Sequence, residues 1–282
     1  MKTRFLMLGM IFSLITISCS KKENEDSTTI TKDEAVANAN IDVATDDVTV
    51  VIDEEFEASQ RSTIANPEFF VTTGCPTITR TPAFGTVLNP GDTVQKTIDF
   101  GTGCVRPSGN VLRGKIRIQF VYDPNATVRT VTYTFDNFFH NLRGIVGTKT
   151  FIKTITATGA TVVMNMDLTM TLADGRTLRR IGTRTRNIVE GFGTPTPNDN
   201  VYQVTGNWTT TYPNNSIQTS TITTPLVIKM ACLPTNSAIS AGVITFVRNG
   251  RTATLDYGNG TCDKLAVFTY NGISFNITLG RD

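Results

Sequence analysis

An all-β fold of antiparallel strands is predicted, as a β-sandwich or a partly closed β-barrel of about a dozen strands. Three observations predict it. Apolar and polar residues alternate through most of the chain, Asn, Asp and Gly turn signals separate the alternating runs, and only 18% of the 282 residues are charged. So little charge argues against a coiled coil or a helical bundle. A hydrophobic content of 39% argues against disorder. The one long apolar run, Phe5–Ile17, is too short to span a bilayer by itself. A single histidine argues against a His-ligated metal centre or a Ser/His triad.

The strands follow in order. Lys115–Phe120 and Val131–Phe135 alternate strictly. Val162–Leu172 and Thr177–Val189 flank Asp174-Gly175, a strong hairpin signal. Asn214-Asn215 separates Val201–Tyr212 from Ser216–Lys229, and Asn271-Gly272 joins Lys264–Tyr270 to Ile273–Leu279. No segment reads as a long amphipathic helix. Thr31–Asn38 predicts only a short one, with Thr31 as cap and Glu34 three positions on, and Val48–Ile52 predicts a strand.

Charge divides the chain. Residues 19–60 hold twelve acids against three lysines, a net of −9, and residues 61–282 carry +9. The expected organisation is therefore a leader over residues 1–18, an acidic tether over 19–65 and a single β-rich body over 66–282.

The body repeats itself. Thr97-Ile98-Asp99-Phe100-Gly101-Thr102-Gly103-Cys104 matches Thr254-Leu255-Asp256-Tyr257-Gly258-Asn259-Gly260-Thr261-Cys262 with one insertion. Gly85 and Gly242 each lie ten residues after a cysteine, as do Gly114 and Gly272. Two related units near 75–122 and 232–282 thus flank a β-rich insert. If each closes its own bond, the disulfides are Cys75–Cys104 and Cys232–Cys262. No CxxC spacing supports metal binding instead.

Lys2 and Arg4 precede the apolar run, which ends Ile17-Ser18-Cys19. This pattern resembles the bacterial lipobox, although Thr16 stands where Leu is usual. The resemblance implies a signal peptide cut before Cys19 and acylation of that residue, palmitate included. The following Ser20-Lys21-Lys22-Glu23-Asn24-Glu25-Asp26 is similar to the export signal of surface lipoproteins of Bacteroidota. That similarity implies a lipid anchor on the outer membrane and exposure at the cell surface. The four remaining cysteines suit a compartment where disulfides persist.

Arg176, Arg180, Arg184 and Arg186 share strand parity, so Arg184 and Arg186 stand roughly 7 Å apart on one face. Such a row suits polyanionic or envelope glycans. The alternatives are a solvated sheet face and self-association with the acidic tether. Tyr202, Trp208 and Tyr212 form a candidate glycan-stacking surface, or equally one face of the core. Asp99 and Asp256, equivalent in the repeat, read as turn acceptors rather than a glycosidase pair. His140 reads as a turn or packing residue, and residues 191–200 as a loop longer than a hairpin needs. No catalytic motif, no metal site and no cofactor motif is present, and nucleic acid is not an expected partner. The expected function is non-enzymatic binding at the outer-membrane surface. The alternative is an accessory subunit with an outer-membrane protein partner, and a glycan hydrolase is the third reading.

Overall fold

The computed structural model describes residues 29–61, 75–106, 109–194, 196–233 and 237–279. Chain order begins with a helix, α1 (Lys32–Arg61). Its start is the capping box expected from Thr31 and Glu34. Glu34 N–H donates to Thr31 Oγ1 at 3.2 Å, and Thr31 N–H donates to Glu34 Oε2 at 3.0 Å. The helix does not stop at Asn38. It runs for 30 residues and includes Val48–Ile52, because burial in the tertiary core outweighs the modest β preference of its branched side chains. The acidic-tether expectation is corrected over this stretch: α1 is a core element.

Fourteen strands follow. The first are β1 (Thr77–Thr81), β2 (Thr93–Asp99), β3 (Cys104–Val105), β4 (Val111–Val121) and β5 (Val128–His140). Then come β6 (Arg143–Ile155), β7 (Ala160–Thr171), β8 (Thr177–Glu190), β9 (Val201–Thr211) and β10 (Ile217–Lys229). The last are β11 (Ile239–Arg248), β12 (Arg251–Asn259), β13 (Leu265–Tyr270) and β14 (Ile273–Thr278). All belong to one antiparallel sheet in sequence order, with β3 paired beside β4. The all-β prediction therefore holds, with one helix added, and the form is an open sheet whose edges are β1 and β14.

The sheet curls around the helix. Ala39, Ile41, Ala44, Val48, Val51, Ile52 and Phe56 are buried on many sides of α1. Side chains of α1 reach strands from β2 (Glu55 to Lys96) to β14 (Lys32 over Phe275). Two apolar cores result. One joins Ile41, Ala44, Val48, Val51, Ile52 and Phe56 of α1 to β2–β8, and the other joins Ile30, Ala35, Ala39 and Val43 to β9–β14. Outward positions on β7 and β8 are mostly polar: Asn165, Asp167, Arg179 and Thr183 are exposed, with Ile181 the apolar exception among them. A membrane-spanning barrel needs apolar side chains there.

The two rims differ. Connections β5–β6, β7–β8, β9–β10, β11–β12 and β13–β14 share one end and take two or five residues. Each of these turns has a left-handed residue, Asn141, Gly175, Asn215, Asn249 and Asn271, with φ between 48° and 82°. Asn and Gly tolerate that conformation, which is why these turn signals were legible. The opposite rim carries connections of four to eleven residues, including residues 82–92, 191–200 and 230–238. The N-terminal end of α1 lies toward the short-turn rim. Asn38 meets Tyr212, and Arg248 holds both Glu34 and the Thr29 carbonyl.

The repeat units occupy the two edges of the sheet and run in opposite directions. β1 leaves the short-turn rim while β11 leaves the long-loop rim, as their pairings with β2 and β10 require. Each unit closes its own disulfide, Cys75–Cys104 and Cys232–Cys262, as the repeat predicted. Asp99 Oδ1 accepts from Gly101 N–H at 2.9 Å, and Asp256 Oδ1 accepts from Gly258 N–H at 2.8 Å. The two Asp are thus turn acceptors, as expected. The glycine spacings do not carry over: Gly114 sits in a bulge of β4 against Asn137, whereas Gly272 lies in the β13–β14 turn.

Candidate functional site: a buried ionic seam

β8 alternates inward Leu178, Arg180, Arg184 and Arg186 with outward residues. Three of the four arginines of the row therefore point into the curl and not to solvent. The helix presents Asp42, Asp46 and Asp53 to them, on one helical stripe with Thr49, which meets Lys149. Arg180 Nη1 donates to Asp42 Oδ1 at 2.7 Å, and Arg184 Nη2 donates to the same oxygen at 2.5 Å. Tyr257 OH donates to Asp42 Oδ2 at 3.3 Å. Arg186 Nη2 donates to Asp53 Oδ2 at 2.5 Å, while Lys153 reaches Asp53 at 3.5 Å and Glu57 at 2.8 Å. This seam separates the two apolar cores.

Aromatic rings floor the seam. Arg180 and Arg184 lie 5.0 and 4.2 Å from the Trp208 ring, and Arg186 lies 4.4 Å from Tyr202. Arg248 stacks on Tyr212 at 4.2 Å. Gly182 faces Trp208 across the β8–β9 ladder, and its missing side chain admits the indole between the two guanidinium groups. Weak hydration of guanidinium and the negative face of the rings suit this stacking.

Further pairs tie α1 to the sheet. Lys96 meets Glu55 at 2.8 Å, His140 Nε2 meets Asp47 at 2.9 Å, and Arg248 meets Glu34 at 3.0 Å. Lys149 donates to Thr49 Oγ1 at 2.9 Å. Burial lowers Lys149 to a pKa of about 7 and raises Asp46 to about 6, since Asp46 stands 3.9 Å from its nearest guanidinium. Burial also raises Glu54 to about 7. For Asp53 burial acts upward too, but Lys153 and Arg186 outweigh it and hold the carboxyl below its ordinary value.

Two expectations are corrected by this geometry. Arg180, Arg184 and Arg186 do not form an open anion-binding face: they are 1%, 2% and 5% exposed and occupied by acids of α1. Only Arg176 is exposed, in the β7–β8 turn with Asp174 at 2.7 Å. Pairing of the row with the acidic segment, the third alternative, is what the protein does. Trp208 and Tyr212 are buried and Tyr202 half-buried, each beneath an arginine, so they form a core face and not a glycan-stacking surface. Cys19 lies outside the described residues. His140 is buried and hydrogen-bonded to Asp47 of α1, a partner that the turn-or-packing reading did not include, and the 191–200 loop is held by Thr194 Oγ1, which bonds Gly191 O and Asp199.

Sequence reasoning missed the helix partners Asp42, Asp46, Asp53 and Glu55, together with Lys96 and Lys149. Their signal was the helical spacing of the acids opposite a strand-spaced Arg row, combined with the −9 and +9 division. Among the described residues no group of three His, Cys, Asp or Glu side chains is placed to hold a metal ion. No protein-family model, no curated protein and no solved structure matches the chain.

Proposed function

We propose that the chain is a lipoprotein acylated at Cys19, held on the outer membrane and exposed at the cell surface, which acts by binding through its exterior. The observation that carries the binding mode is the double occupation of Asp42 by Arg180 and Arg184. With that pairing Arg180, Arg184 and Arg186 are buried against acids of α1, so they present no open anion-binding face. The exterior and the long-loop rim are left for recognition. This favours the accessory-subunit reading, with an outer-membrane protein as partner, over capture of a polyanionic glycan.

Globomycin treatment should leave an uncleaved precursor, and protease added to intact cells should degrade the mature protein. Normal processing in globomycin would remove the anchor. A photo-crosslinker at Asn198, exposed in the 191–200 loop, should capture a membrane protein in intact cells. Salt-sensitive retention of the purified protein on heparin, lost on Arg176→Gln, would return the reading to glycans.

A further inference from the structure

We infer that the short-turn rim rests on the lipid surface and that the long-loop rim is held away from it. The inference rests on the acylation of Cys19 proposed above. Ten peptide steps join Cys19 to Thr29 and reach at most about 35 Å when fully extended. Thr29 is not free to wander, because its carbonyl accepts from Arg248 Nη1 at 3.0 Å beside the β11–β12 turn. α1 runs from there toward the long-loop rim, where Phe56 packs on Phe120 and Phe151 and Glu57 meets Lys153. Its 30 residues span about 45 Å. A stretch of about 35 Å between Cys19 and Thr29 is shorter than the roughly 45 Å that α1 covers toward the far rim, so it cannot bring that rim to the bilayer.

The near rim can meet lipid, while exposed Val121 and Val128 on the far rim mean that chain length, and not apolarity, sets the orientation. Ile217 and Ile273 flank its turns and are 58% and 59% exposed. Lys32, Arg176 and Arg251 are exposed at the same end, as are Asp33 and Asp174, the latter paired with Arg176, and Lys32 lies 5.6 Å from the Phe275 ring. Apolar tips with interspersed cations fit the boundary of an anionic bilayer, where side chains enter the headgroup layer and bases meet phosphate. One acyl-bearing residue fixes the position, and these contacts fix the tilt.

The test uses the full acylated protein in vesicles of phosphatidylethanolamine and phosphatidylglycerol containing nitroxide-bearing lipid. A fluorophore is attached at Asn249 on the near rim or at Asn198 on the far rim, both exposed, and the mass of the N-terminal peptide is recorded. Loss of fluorescence at Asn249 and none at Asn198 is the expected result. Loss at both positions, from a molecule lying on its side, or at Asn198 alone would overturn the orientation in an acylated protein. A mature chain without acyl groups at Cys19 would overturn the anchor and the orientation together. Ile217→Asp with Ile273→Asp should reduce the quenching at Asn249, and undiminished quenching would refute the lipid contact of the rim.

Discussion

Arg180 meets Asp42 at 2.7 Å across 138 residues of sequence, with the two side chains 1% and 0% exposed. Asp42 also accepts from Arg184, so one carboxylate answers two guanidinium groups. Asp42→Ala should therefore destabilise the protein by about 3–5 kcal/mol, because it strands two buried cations. Urea unfolding at pH 7 with disulfides intact measures this. A loss below about 1 kcal/mol would mean that water already solvates the seam. Replacing all three residues by apolar ones, Asp42→Leu with Arg180→Leu and Arg184→Met, should cost far less than Asp42→Ala alone.

Lys149 gives the fold a pH dependence above neutrality. Its folded pKa of about 7 lies below the ordinary value of 10.5, so between those limits the unfolded chain holds the extra proton. Stability must rise with pH across that window, and below it the penalty is constant. Lys149→Met should flatten the rise between about pH 7 and 10, as read from urea midpoints along a pH series. Asp46 and Glu54 act in the opposite sense at lower pH. Their raised values, about 6 and about 7, make stability fall as pH climbs from about 4 into that range.

The two disulfides each close a loop of about 30 residues, with sequence separations of 29 and 30. Removing either as a Cys→Ser pair should cost about 2–5 kcal/mol by releasing the unfolded chain. Peptide mapping without reduction should recover Cys75–Cys104 and Cys232–Cys262. A crossed Cys75–Cys262 peptide would break the correspondence between the edge units.

Gly182 has no room for a methyl group, since a Cβ there would strike Trp208 and the Asn207 carbonyl. These are backbone or near-backbone atoms and cannot swing aside. Gly182→Ala should cost about 1–3 kcal/mol and shift the emission of the single tryptophan, which loses its place between Arg180 and Arg184. An unchanged emission spectrum would show that the ladder absorbs the methyl elsewhere.

The legible parts of the fold were those that local rules decide. Strand alternation gave Val162–Leu172 its inward Met164, Met166 and Leu168, and left-handed Asn and Gly positions marked the short turns. Pairing of the disulfides followed from a repeat. What local rules could not decide was the fate of Lys32–Arg61. Its β-branched run at Val48–Ile52 and its nine acids look solvated and strand-like in isolation, and only partners on distant strands make a buried helix of them. Parity likewise placed the Arg row on one face of β8 without telling which face turned inward. Arginine on a strand reads as exterior unless its counter-charge is known.

α1 is synthesised before every strand that receives it. Glu34 must wait for Arg248, 214 positions later, and Asp42 for Arg180. Before those strands exist, a segment rich in mutually repelling carboxylates has little helix stability of its own. Contacts of such long sequence separation also make folding slow. A nascent chain of this kind stays loose until its last strands are made. On the export route proposed above, which passes extended polypeptide, that delay is of use, and it arises from the order of the elements along the chain.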